Sequence, residues 1–128
     1  MKMCISGVIL LLVTACATTN SRQDEAIRDF ISVEALQEEN QIRTTTRDKR
    51  EILNEDFIIY KARTQDYLVE FQSGCYDLVN DNIVADVRFD ANQIRAKFDT
   101  INGCGIGQIY PLDERQSAEL IELAEATK

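Results

Sequence analysis

DYLVEF, Asp66–Phe71, is a six-residue run of mostly apolar side chains set between polar separators. A run this short, rich in aromatic and β-branched residues and bounded by turn formers, predicts a strand. Its apolar residues, like those of Phe57 to Tyr60 upstream, are too continuous for a strand wet on one face, so both strands are expected to be covered on both sides. Glu70 is the acid most embedded in this apolar sequence. Alternation places it opposite Val69 and Phe71 and alongside Leu68, either as an ordinary surface acid or as the carboxylate of a cavity.

Further runs on either side repeat the pattern: FIIYKA at 57–62, IVADVRF at 83–89, IRAKF at 94–98 and GIGQIY at 105–110. The separators at 54–56, 63–66, 80–82 and 90–92 have hairpin length. In IRAKFD, Ile94, Ala96 and Phe98 alternate with Arg95, Lys97 and Asp99, the mark of a strand with one wet face. The rhythm is helical in two places. In DEAIRDFI, from Asp24, Ile27, Phe30 and Ile31 recur at helical spacing behind acidic first-turn residues. In the closing segment Pro111 is expected to end the last strand, Asp113 to cap, Gln116 to complete a capping box, and Leu120, Ile121 and Ala124 to form the buried stripe. The fold class expected is α+β: a small antiparallel meander of about five strands, a short N-terminal helix, a C-terminal helix and one disulfide.

The N-terminus reads as an address. Ile5 to Val13, ISGVILLLV, has nine residues, too few for the roughly 20 a membrane-crossing helix needs and within the range of a signal-peptide core. LVTAC, ending at Cys16, resembles the lipobox of bacterial lipoproteins. That resemblance implies cleavage between Ala15 and Cys16, diacylglyceryl modification of the Cys16 thiol and acylation, palmitate-like, of the new amino group. Two or three acyl chains anchor a protein durably where one does so only marginally. Ala17 in the second mature position implies, by the lipoprotein sorting rule, the outer membrane facing the periplasm. The expected organisation is a signal peptide at 1–15, a tether at 16–23 and a single domain at 24–128.

Of four cysteines, Cys4 would leave with the signal peptide and Cys16 would carry lipid. Cys75 and Cys104 remain, and in an oxidising compartment a lone pair is most simply a structural disulfide. They are not a CxxC, and no neighbouring positive charge would activate a thiol. With no histidine in the chain, neither zinc pattern can be assembled, and no metal or other cofactor is expected.

The net charge of −8 argues against nucleic acid and against general adhesion to anionic headgroups. The basic cluster RTTTRDKR, Arg43 to Arg50, reads either as a solvated face with local ion pairs or as a contact patch for phosphate or an acidic partner. GCGIG at 103–107 has the glycines of a phosphate loop but leads into an apparent strand, where glycines serve turns and close approach. Asp77, Asn80, Asp81 and Asn82 lack the spacing of a calcium loop and read as a turn. Ser73 has no histidine to take its proton. No catalytic residue is expected.

IRDFISVEALQEENQIRT, YLVEFQSGCYDL and RAKFDTINGCGIGQIYPL resemble, in that order, a family of small Gram-negative lipoproteins catalogued only as a domain of unknown function. The resemblance covers about Asp24 to Leu112. It implies a lipoprotein address and a disulfide, and no activity. The expected role is a non-enzymatic accessory or binding lipoprotein of the cell envelope, contacting the membrane through its N-terminal lipid and an envelope protein or cell-wall polymer through its surface. The alternative is a protective lipoprotein that inhibits a hydrolase.

Overall fold

A computed structural model describes residues 19–44, 48–75, 93–101 and 103–128. The elements run α1 (Thr19–Val33), β1 (Gln41–Arg43), β2 (Lys49–Ile52), β3 (Phe57–Lys61), β4 (Asp66–Phe71), β5 (Gln93–Arg95), β6 (Thr100–Ile101), β7 (Cys104–Leu112) and α2 (Glu114–Ala126). All pairings are antiparallel, in a five-stranded sheet of order β2-β3-β4-β7-β6 and a two-stranded ribbon of β1 and β5. The α+β class is as expected. β2, β3 and β4 run as a meander, and β7 takes the place beside β4. The strand expected at 83–89 and the lipobox lie outside the described residues.

DYLVEF sits at the centre of this sheet because both of its faces are apolar. Register places Ile59, Leu68 and Tyr110 in one cross-strand row and Ile58, Val69 and Ile109 in the next. The first row packs with Phe57, Leu112, Ile27 of α1 and Leu120 and Ala124 of α2. The second packs with Phe71, Ile106, Ile101 and Cys75 and with Ile42 and Ile94 of the ribbon. Helices therefore cover one face and the ribbon and disulfide the other, as the unbroken apolar runs of β3 and β4 require. Each fully buried aliphatic or aromatic side chain contributes roughly 1.5–3 kcal/mol, so these two layers outweigh every surface ion pair.

The helices lie antiparallel over their face. Gln23 Nε2 donates to Ala124 O at 2.7 Å near one end, and Arg115 grips Glu34 through two hydrogen bonds of 2.9 and 3.1 Å at the other. The Asp113 capping box forms as read: Asp113 Oδ1 accepts from Gln116 N at 2.7 Å, and Gln116 Oε1 accepts from Asp113 N at 2.9 Å. α1 begins at Thr19, five residues before the expected start at Asp24. Thr19 to Gln23, read as tether, belong to the helix, and Gln23 is 3% exposed against α2. Polar composition suggested a linker, but a helix docked on a partner needs only the residues on its inner face.

Two other expectations are corrected. IRAKF is strand only through Arg95, because Asp99 Oδ2 accepts the Arg95 N–H at 2.6 Å and Asp99 N donates to Arg95 O at 3.0 Å, closing a turn. Lys97 in that turn has φ 69°, and Phe98 is thrown outward, 78% exposed. Pro111 does not end β7, which continues to Leu112 opposite Asp66. Its missing N–H faces away from β4, because Ile109, two residues back, turns its carbonyl outward to Glu39.

Candidate functional site

Three segments line a groove of about 330 Å³: 38–41 leading into β1, 95–98 leaving β5, and 107–109 on the outer edge of β7. The volume lies at the lower end of the roughly 300–1,000 Å³ range of small-molecule sites. Backbone hydrogen bonds of 2.8 Å hold the segments together: Glu39 N to Ile109 O, Ala96 N to Asn40 O, and Lys97 N to Ile106 O. The groove is thus formed by main chain, and its side chains need not order it.

Its floor depends on Gly107. The register of β4 against β7 slips between Glu70 and Phe71, leaving Gly107 as the extra residue of a bulge. A Cβ there would lie 3.2 Å from Glu70 O. Only glycine lets the two backbones approach so closely.

The lip is the turn at 95–99. A lysine with φ 69° carries a backbone cost of order 1 kcal/mol that exposed side chains do not repay by packing. The Arg95 guanidinium lies 5.5 Å from the centroid of the Phe98 ring and pairs with Asp99 Oδ2 at 3.4 Å. Lys97, Glu38 and Glu39 form no ion pair among the described residues. The groove thus joins an exposed aromatic ring to amides and charges of both signs.

The residues singled out from sequence fall elsewhere. Cys75 and Cys104 form a disulfide with Cα atoms 5.7 Å apart, tying the end of β4 to the start of β7. Glu70 shares a face with Leu68, as alternation required, and accepts from Arg28 Nη1 at 2.7 Å. Its side chain is 16% exposed, and the Arg28 guanidinium also stands 5.2 Å from the centroid of the Phe57 ring. It is a structural acid that ties α1 to the sheet.

Lys49 and Arg50 of the basic cluster belong to β2, at the edge of the sheet, where charged side chains discourage further strand pairing. Asp48 Oδ2 there accepts from Tyr60 Oη at 2.6 Å, and burial, followed by that bond, raises the Tyr60 hydroxyl above its ordinary pKa. In GCGIG, Gly103 makes a turn at φ 79° and the rest enters β7, so no helix N-terminus follows. Ser73 is exposed. Cys16, Ala15, Asp77, Asn80, Asp81 and Asn82 lie outside the described residues. Among the described residues no three His, Cys, Asp or Glu side chains come together as a metal site.

Sequence reasoning missed the groove, since its walls meet only through the tertiary pairing of 38–41 with β5 and β7. It also missed a carboxyl pair, Asp24 on α1 and Asp56 between β2 and β3, joined by a hydrogen bond. Asn54, whose Oδ1 accepts from Asp56 N and Phe57 N at 2.8 and 2.9 Å, donates to Asp24 from its other amide atom.

No curated protein and no solved structure matches the chain. Its kinship is read from the family whose sequence profile spans residues 1–128, and the chain belongs to that family of unknown function (DUF6491).

Proposed function

We propose that the protein is a lipid-anchored, non-enzymatic binding module of the bacterial cell envelope, most simply at the periplasmic face of the outer membrane. The observation that carries the binding role is the backbone-built groove with Phe98 exposed at its lip. Positive-φ backbone at Lys97 and a Phe98 ring packed only by Arg95 at the same turn support a surface that a partner covers. Both are accounted for by a ligand that covers them.

The anchor rests on the sequence of LVTAC. No helix among the described residues is long and apolar enough to cross a membrane; the attachment proposed is lipid on Cys16. With α1 starting at Thr19, at most about 10 Å of chain separates that lipid from the first helical turn. The start of α1, and not the end of a long tether, would then lie close to the lipid.

The test replaces the chromosomal gene by Cys16→Ser and, separately, by Phe98→Ala. Cys16→Ser is expected to lose acyl mass and membrane fractionation. Phe98→Ala is expected to be lipidated and folded normally yet to reproduce the phenotype of a deletion. Wild-type protein whose mature form lacks acyl mass ends the anchor reading, and a Phe98→Ala strain indistinguishable from wild type ends the groove's role.

A further inference from the structure

We infer that the groove takes a short segment of neutral glycan, its sugar ring laid on Phe98. This rests on the binding-module reading and names its ligand by the chemistry of the walls. Glu38, Glu39, Asn40 and Gln41 bring planar carboxylate and amide groups to one small space, which Gln108 also lines with its amide oxygen already accepting from Tyr110 Oη. Such groups match the adjacent hydroxyls of a pyranose, which donate and accept within one plane. Phe98 supplies the apolar half of the match. An aromatic face is electron-rich, and the C–H face of a sugar ring presents weakly positive hydrogens to it. The ring is 78% exposed with Arg95 over it, so its other face is open to a ligand and its orientation is already set.

Other ligand chemistries fit less well, each for a reason visible in the groove. A polyanion such as a phosphate chain meets the two carboxylates of Glu38 and Glu39 with Lys97 alone to offset them, since Arg95 is already engaged by Asp99. An acyl chain would strip water from four carboxylate and amide side chains without replacing their hydrogen bonds. A peptide adding a strand to β7 needs a row of outward carbonyls and amides. Along that edge the carbonyls of Ile106 and Ile109 are taken by Lys97 N and Glu39 N. A neutral sugar needs no strand edge, places no charge beside the glutamates and leaves the mixed charges solvated at the rim.

The full-length chain in detergent micelles, isotopically labelled, is titrated with N-acetylglucosamine tetramer, cellotetraose and maltotetraose, and backbone amide shifts are followed. At least one is expected to shift the amides of Lys97, Phe98 and Gln108, with affinity falling about tenfold or more in Phe98→Ala and in Gln41→Ala. Both variants should keep the wild-type melting temperature. In parallel, a photo-crosslinking amino acid replaces Phe98 in living cells. No shift with any of the three sugars, together with a protein or peptide crosslinked at position 98, overturns the glycan and leaves the binding module standing. No shift and no crosslink to any envelope component overturns both. Sugar binding unchanged in Phe98→Ala and Gln41→Ala overturns the groove as its site.

Discussion

Asp24 on α1 faces Asp56 in the β2–β3 turn across a side-chain hydrogen bond, and Asn54 Nδ2 donates to Asp24 Oδ1 at 2.5 Å on the other side. Burial first, then the hydrogen bond and charge of Asp56, push the Asp24 carboxyl from its ordinary 3.8 up to about 7. Asn54 and Arg28 pull the other way and do not prevail. Because the folded state holds a proton that the unfolded chain has released, the stability this provides is complete below about pH 4 and is lost as pH rises through about 7. The melting temperature is therefore expected to fall between about pH 4 and pH 7. Asp24→Asn keeps an acceptor for Asn54 and a donor for Asp56, and should flatten that dependence and exceed wild type at the alkaline end. A wild-type curve that rises with pH, or an Asp24→Asn curve with the wild-type slope, would refute the raised Asp24 carboxyl.

Cys75 is fully buried in the cluster beneath the sheet, and its N–H donates to Glu55 O at 2.7 Å. The bridge to Cys104 closes a loop of sequence separation 29, worth about 3.5 kcal/mol in the chain-entropy account. Reduction, or Cys75→Ala with Cys104→Ala, is expected to lower the melting temperature on the order of 10 °C. Peptide mapping without reductant should recover the two cysteines in one linked fragment. Two free, alkylatable thiols in normally exported protein would show the pairing wrong.

Local signals were the legible ones. The Asp113–Gln116 box could be read because donor and acceptor are three residues apart, and DYLVEF because a doubly covered strand must be apolar on both faces. IRAKF misled because one side chain, Asp99, captures the Arg95 N–H and turns the chain before Phe98 can point inward. Alternation alone carries no sign of that competition. β2 was invisible for another reason: KREI, with burial only at Arg50 and that partial, is an edge strand held by its register with β3. The start of α1 was hidden by composition, since Gln23 is polar yet buried through a contact 101 residues away. The groove was beyond reach because its walls meet only after β1 pairs with β5 and Glu39 bridges to Ile109.

Glu70 and Arg28 form a tie of modest value. Arg28 is 54% exposed on its side chain, and pairs so open to solvent are worth about 0–1 kcal/mol. Glu70→Gln and Arg28→Ala should each destabilise by about 1 kcal/mol or less, with a double-mutant coupling of about 0.5 kcal/mol. Arg28→Ala should cost slightly more, through its lost stacking on Phe57. Since Glu70 contacts no groove ligand in this scheme, Glu70→Gln should keep the cellular role. A Glu70→Gln strain that folds and localises normally but behaves as a deletion would make this carboxylate functional.

Gly103 and Gly107 are constrained for different reasons that substitution can separate. Gly103 has φ 79°, and a Cβ there would meet nothing within 4 Å, so only its backbone conformation restricts it. Asparagine tolerates that region, and Gly103→Asn should cost well under about 1 kcal/mol. Gly107 has an ordinary φ but no room, with Glu70 O at 3.2 Å and Gln72 N and Phe71 C at 3.5 Å from a Cβ, all of them backbone atoms. Backbone cannot swing aside as a flexible side chain can, so Gly107→Ala must push β7 from β4 at the bulge. A cost of about 1–3 kcal/mol is expected, and Gly107→Asn should be no better tolerated. The strain should also reach the groove, since Gly107 lines it, so amide shifts at Lys97 and Gln108 should accompany the lower melting temperature. Gly107→Ala melting within a degree of wild type would show that the bulge can relax and that the close approach to Glu70 is not what holds this position to glycine.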